Sequence, residues 1–316
     1  MSAQGIDEPE DSHGGTYLLL TLSAVFWGGT FIAGRMLASH IDPLSAAFMR
    51  FALATLLLWS WVAWQHRQLP GLTGRQAIAV VLLGMTGVVA YNLFFFEGLK
   101  SVEAGRAALI VAINPVVIAL ASGLLFREPM NGTRATGILL SLCGALVVIA
   151  RGDIGSLLSG TVGIGESLLL GCVISWSLYT LIGRRVLGRL SPLVTVAYAS
   201  LAGTLLLGLL LALDDGLDTA LLADGVVWAN IGYLAVFGTV LAFVWFYAGV
   251  RAIGATRAAQ FINLVPVSGV LLGALILQEP VTPSLLGGGL MVIFGLWLTN
   301  RHGATRPPSK VDRPAP

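Results

Sequence analysis

The sequence predicts an all-α integral membrane protein, with ten transmembrane helices forming two inverted five-helix repeats around a central cavity. Three observations carry this expectation. Hydrophobic residues make up 56% of the 316 and charged residues 11%, at a mean hydropathy of +0.86; a soluble domain carries about 25% charged residues. The apolar residues fall into ten runs, each close to the ~20 residues needed to cross a bilayer. The second half also repeats the first. FWGGTFIAGR at 26–35 recurs as SWSLYTLIGR at 175–184, and EAGRAALIVAINP at 103–115 recurs as GATRAAQFINLVP at 254–266. The offset is 149 for Trp27/Trp176, Gly34/Gly183, Arg35/Arg184 and Pro43/Pro192. It is 151 for Arg106/Arg257, Pro115/Pro266, Glu128/Glu279, Pro129/Pro280 and Gly144/Gly295, so one small loop insertion separates the two registers.

The runs can be taken in order. Span one, Tyr17–Ala38, carries Trp27 near mid-depth and ends at Arg35. Span two, Leu44–Trp64, holds Arg50 near one end and Trp59, Trp61 and Trp64 near the other, where interfacial aromatics belong. Span three, Ala77–Leu99, aligns Tyr91, Asn92, Phe95 and Phe96, with Glu97 close to its end. Span four, Ala104–Phe126, is interrupted by Pro115, and span five, Thr133–Ala150, carries the small residues Gly137, Ser141 and Gly144. Span six, Gly163–Val186, repeats span one with Trp176 and adds Tyr179. Span seven, Leu193–Leu213, is almost wholly apolar, and span eight, Val227–Val250, places Trp245 beside Ala242, Phe243, Phe246 and Tyr247. Span nine, Thr256–Leu277, repeats the proline break at Pro266, and span ten, Thr282–Thr299, repeats the glycines at Gly288 and Gly295. The expected organisation is thus a cytoplasmic tail at 1–16, repeats at 17–150 and 163–299, and a second cytoplasmic tail at 300–316. The first tail is acidic, unlike the basic start of a signal peptide; the last is rich in Pro and Arg, and suits disorder near an anionic leaflet.

Charge at the helix ends orients the chain. Lys and Arg number 13 on the side of both termini and 4 on the other, with Arg50 inside a span. Positive residues stay inside, so both termini are expected in the cytoplasm. The link after span seven agrees, with Asp214, Asp215, Asp218 and Asp224 and no base. Five spans per repeat is an odd number, so the halves must insert in opposite directions. The charges follow: Arg184, Arg185 and Arg189 succeed span six, while only Arg35 succeeds span one.

The chain resembles ten-helix carriers of the drug/metabolite transporter superfamily, EamA type. The likeness covers Tyr17 to Thr299 and rests on FWGGTF in span one, MRF at 49–51, GRAAL and NP in span four, and REP at 127–129. SWSLYT, TRAAQF and QEP at 278–280 echo them in the second half. A narrower likeness is to bacterial amino-acid exporters, including the aromatic amino-acid group. The resemblance implies a cavity enclosed by spans one, three, four, six, eight and nine, with five and ten behind it. It also implies a structural role for Arg50.

The candidate binding groups follow from polarity and depth. Pro115 and Pro266 remove an N–H and push aside the carbonyl four residues back, at Val111 and Ile262. Freed carbonyls in a bilayer need protein, water or substrate, and both prolines are candidate pivots or gates. Asn114, Asn263 and Gln260 offer donors and acceptors beside the breaks. Trp27, Tyr91, Asn92, Phe95, Trp176, Tyr179 and Trp245 complete the candidate substrate-binding set, since an indole or phenol at mid-depth needs a polar partner or a wet cavity. Packing between helices accounts equally for about half of these side chains. Arg50 and Glu97 are the ionisable candidates: they form an ion pair, or Arg50 binds a substrate carboxylate, or Glu97 carries a proton.

The function classes narrow accordingly. A carrier exporting small metabolites, foremost amino acids, by alternating access is expected; with no mid-depth carboxylate or histidine, it runs by uncoupled facilitated diffusion or exchange. Proton-coupled metabolite or drug efflux is the alternative. A nucleotide-sugar or phosphate-ester carrier would need several buried bases, and a receptor or scaffold would not need inverted halves. Enzymatic clusters are lacking. Cys143 and Cys172 have no metal spacing, so no metal or cofactor is expected. The expected partners are a small-molecule substrate and the lipid bilayer of a bacterial inner membrane, with no nucleic acid; monomer and homodimer both stay open.

Overall fold

A computed structural model describes residues 14–65, 71–126, 131–153, 163–186, 190–214 and 224–300. These residues fold into ten helical units: α1 Gly14–Ala38, α2 Pro43–Gln65, α3 Gly74–Leu99, α4 in two pieces (Ala104–Val111 and Asn114–Phe126), α5 Gly132–Ile149, α6 Ile164–Val186, α7 Pro192–Leu213, α8 Gly225–Ile253, α9 (Ala255–Gln260 and Leu264–Ile276) and α10 Pro283–Asn300. Every boundary falls within three residues of its sequence expectation. Nine of these units are long and apolar enough to cross a membrane, and α10 is a shorter apolar helix. The starts are fixed by side chains that accept otherwise orphaned N–H groups: Thr73 with Gln76 at α3, Asn131 at α5, Ser191 before Pro192 at α7, and Asp224 at α8.

The packing displays the repeat. α1 lies against α9 and α8, and its counterpart α6 lies against α4 and α3 in the same way. α2 pairs with α7, where Thr55 and Thr204, equivalent under the 149 offset, share a hydrogen bond of 2.9 Å. α5 pairs with α10 through glycine. A Cβ at Gly137 would lie 2.7 Å from the Gly295 carbonyl oxygen, and one at Gly144 would lie 2.6 Å from that of Gly288. Gly137/Gly288 and Gly144/Gly295 are themselves repeat equivalents. The contacts therefore cross, 137 with 295 and 144 with 288, as two antiparallel helices related by an axis perpendicular to both require. A parallel duplication would join 137 to 288. This crossing is the signature of inverted repeats.

The proline breaks fall where the sequence puts them. α4 is interrupted at Ala112–Ile113 and α9 by a 3-10 turn, Phe261–Asn263, each within a turn before Pro115 or Pro266. A second pair of irregularities has no proline. Gly84–Ala90 in α3 and Tyr233–Leu241 in α8 are wound as π-helix, a rare winding that gathers at functional sites.

Candidate functional site

One cavity of about 920 Å³ runs between the repeats. Its deep part is walled by Trp27, Phe31, Arg50 and Phe95. It reaches the helix ends that carry Ser122, Arg134, Arg184, Pro192 and Thr299, of which Arg184 and Pro192 are exposed. The opposite end is sealed. Arg35 donates to the Leu99 carbonyl, and Leu37, Leu99 and Phe95 are buried there. Glu279, ahead of α10, accepts from the backbone N–H groups of Ala104 and Gly105 at 2.6 and 2.9 Å, capping the first turn of α4 with a carboxylate. Arg106, 3% exposed, donates to the Val148 carbonyl at 2.7 Å and pairs with Glu103 at 3.1 Å. Its repeat equivalent at the open end, Arg257, is exposed. The two gates of one inverted design are thus in opposite states.

The aromatic lining comes as two sets. Tyr91 on α3 meets Trp176 at 5.6 Å, and Trp176 stacks on Tyr179 at 5.0 Å. Across the cavity, Trp27 on α1 meets Phe243 and Phe246 on α8 at 5.4 and 5.3 Å. Trp27 and Trp176 are equivalents, so each repeat contributes one indole to the wall. The polar groups are fewer. Arg50 donates through Nη1 to Asn92 Oδ1 at 2.9 Å and through Nη2 to Thr239 Oγ1 at 3.3 Å, with all three residues buried. Asn92 in turn donates to the Val88 carbonyl, and Thr239 to that of Leu234. Asn114 Oδ1 is buried in the wall without a hydrogen-bond partner.

Among the expected binding residues, Trp27, Tyr91, Asn92, Phe95, Asn114, Trp176, Tyr179 and Asn263 line the cavity, as do Pro115 and Pro266. Two do not. Trp245 turns away to pack on Phe26 at 5.5 Å, and Gln260 is exposed on α9. Helical phase separates them from the wall: Trp245 lies one residue from the lining Phe246, and Gln260 one residue from the lining Ala259. The Arg50–Glu97 pair does not form. Glu97 is exposed and pairs with Lys100 at 2.8 Å. The wall is also wider than expected. α2 contributes Arg50 and Phe51, α7 contributes Pro192 and Thr195, and the open-end tips of α5 and α10 contribute Arg134 and Thr299. Sequence reading missed Thr239. Gly238, directly before it in the π segment, and Gly232, just ahead of that segment, were the available signal. Glu128 lies outside the described residues.

The chain matches the EamA-like transporter family twice, over residues 15–150 and 163–301. It is 27% identical over 285 residues to the uncharacterized transporter YyaM of Bacillus subtilis, covering 90% of this chain and 93% of that one. An uncharacterized transporter of Archaeoglobus fulgidus is 30% identical, covering 90% and 96%. A probable terminal-alkyne amino-acid exporter of Streptantibioticus cattleyicolor is 29% identical, covering 90% and 92%. A solved crystal structure superposes with a TM-score of 0.63 at 20% identity, over 91% of this chain and 98% of that one, a likeness of fold alone.

Proposed function

Since the chain belongs to the EamA-like transporter family and is a multi-pass membrane protein, we propose that it carries amino acids, aromatic ones included, out of the cell. The observation that carries this reading is the cavity itself: about 920 Å³, walled by two facing indole sets and a small buried polar cluster. That volume is within the roughly 300–1,000 Å³ of small-molecule sites. Apolar faces with few fixed polar groups suit an amphipathic solute that is apolar at one end and charged at the other. The relative that is a probable amino-acid exporter supports the same class.

Transport proceeds by alternating access. The sealed end opens as the open end closes, through rocking of the repeats about the breaks at Pro115 and Pro266. Among the described residues, the wall holds Arg50, Arg134 and Arg184 and no carboxylate or imidazole. A proton relay has no group to use there, so the substrate moves down its own gradient or by exchange. The protein resides in a bacterial inner membrane with both termini cytoplasmic, which makes the open end the cytoplasmic one. Cysteines introduced at Asp215 and Arg189 then label from opposite faces, the first from outside.

The test is counterflow in proteoliposomes with a panel of labelled amino acids. Trp176→Ala lowers transport of aromatic substrates several-fold without loss of folded protein, because Trp176 joins two other rings at the wall. Trp245→Ala, off the wall, leaves transport affinity unchanged. Transport of some other metabolite, with every amino acid inert, overturns the substrate class.

A further inference from the structure

Arg50 has more hydrogen-bonding capacity than its surroundings use. It is 8% exposed on α2, lines the cavity, and has a wholly buried Nε with no partner. Asn92 Oδ1 and Thr239 Oγ1 take one N–H each from Nη1 and Nη2, which leaves the remaining guanidinium donors unpaired. Both acceptors are neutral, and no salt bridge among the described residues involves Arg50. An arginine is always charged, and a buried charge needs a counter-charge or a full set of hydrogen bonds. Among the described residues Arg50 has neither, and its remaining contact is the face of the Phe51 ring, 5.2 Å from the guanidinium carbon.

The repeat supplies an independent observation. Under the 149 offset Arg50 corresponds to Ala199, and under the 151 offset Asn92 corresponds to Phe243 and Thr239 to Val88. All three polar positions are apolar in the other half. A cluster needed to hold the five-helix unit together would be present in both halves, as the α5–α10 glycines are. The Arg50 cluster exists once, and it faces the central cavity between the halves. Its two supporting side chains are set by the π segments: Thr239 lies within one, and Asn92 lies two residues beyond the other.

We infer that Arg50, oriented by Asn92 and Thr239, is the docking group for a carboxylate of the transported substrate, whose two oxygens complete the guanidinium's unpaired donors. A planar fork matches a carboxylate bidentately. The indoles of Trp27 and Trp176 then face the rest of the molecule. The inference rests on the carrier reading and deepens it, since it demands a carboxylate whether or not the substrate is an amino acid.

The test compares each acid with its neutral or decarboxylated partner on the purified protein: L-phenylalanine against L-phenylalaninamide and phenethylamine, and benzoate against benzamide. Thermal stabilisation and competition in counterflow are read for the wild type, Arg50→Lys and Arg50→Gln. In the wild type the acid binds roughly 10- to 100-fold more tightly than its amide, the value of a charged hydrogen-bonded contact. Arg50→Gln removes that preference, so acid and amide bind alike. Arg50→Lys, with charge but no fork, keeps part of it. If Arg50→Gln is not recovered folded, the wild-type comparison and Arg50→Lys decide. Equal binding of acid and amide by the wild type, no stabilisation by any carboxylate, or an undiminished preference in folded Arg50→Gln overturns the inference and leaves Arg50 a structural anchor. Selective binding of benzoate with every amino acid inert keeps the inference and removes the amino-acid reading. Transport of a solute without a carboxylate does the reverse, keeping the carrier and removing the inference.

Discussion

Replacing Glu279 by Gln tests what holds the sealed end shut. The carboxylate accepts from two consecutive N–H groups, Ala104 at 2.6 Å and Gly105 at 2.9 Å, at the start of α4. Glutamine keeps one oxygen and sets an NH2 against the other donor. One charge-assisted bond worth about 1.5–3 kcal/mol is lost, and the other falls to about 1 kcal/mol as a neutral bond. Removing the negative charge from the helix N-terminus adds about 0.3–1 kcal/mol. Glu279 is only partly buried, and water re-solvates the freed N–H, which brings the expected cost to about 2 kcal/mol. If the contact breaks when the end opens, the loss moves the closed-to-open ratio about 30-fold toward open. A reporter is available in Leu37, which is 0% exposed within the seal. With Cys143→Ala and Cys172→Ala as background, Leu37→Cys is treated with a membrane-impermeant maleimide from the sealed side. Labelling speeds up by an order of magnitude or more when Glu279→Gln is added. Unchanged labelling in protein of unchanged thermal stability refutes the latch, and leaves the seal to the Arg35 and Arg106 contacts and the apolar packing of Leu37, Leu99 and Phe95.

Two further outcomes follow from the same geometry. Gly144→Leu sets a side chain where a Cβ already meets the Gly288 carbonyl oxygen at 2.6 Å and Met291 Cβ at 2.8 Å; it lowers thermal stability by about 1–3 kcal/mol or more, measured as a drop in Tm in detergent. Glu97→Gln removes only an exposed pair with Lys100, so counterflow and its pH profile stay unchanged; an imposed pH gradient that drives substrate uphill in the wild type and not in this variant would make Glu97 a coupling site.

The fold was legible because two signals reinforced each other. Apolar runs marked the spans, and the 149 and 151 offsets related them. Prolines at 115 and 266 placed both helix breaks, since proline acts locally through its missing N–H. The cavity was only partly legible. Trp27 and Trp176 could be read because they are repeated polar aromatics at mid-depth, but Trp245 could not be told from its neighbour Phe246. Winding of α8 as π-helix over nine residues shifts the phase of every side chain beyond it, and nothing but scattered glycines marks such a segment. Glu97 failed as a partner for Arg50 because a carboxylate near a helix end is nearer to Lys100, three residues on, and to water than to a buried guanidinium. The contribution of α2 and α7 was hidden because their lining faces are nearly as apolar as their other faces, Arg50 apart.

The glycine seam between α5 and α10 also imposes an order on biogenesis. Gly144 and its equivalent Gly295 are 151 residues apart. At ribosomal speeds of about 5–20 residues per second, the fifth helix waits roughly 8–30 s in the membrane before its partner is synthesised. Throughout that interval its narrow glycine face borders lipid, which cannot approach the backbone as closely as another helix does. The first repeat thus gains its full set of contacts only with the tenth helix. A chain cut short before Pro283 would therefore lose more than its last span, because the glycines of α5 would lose the helix they pack against.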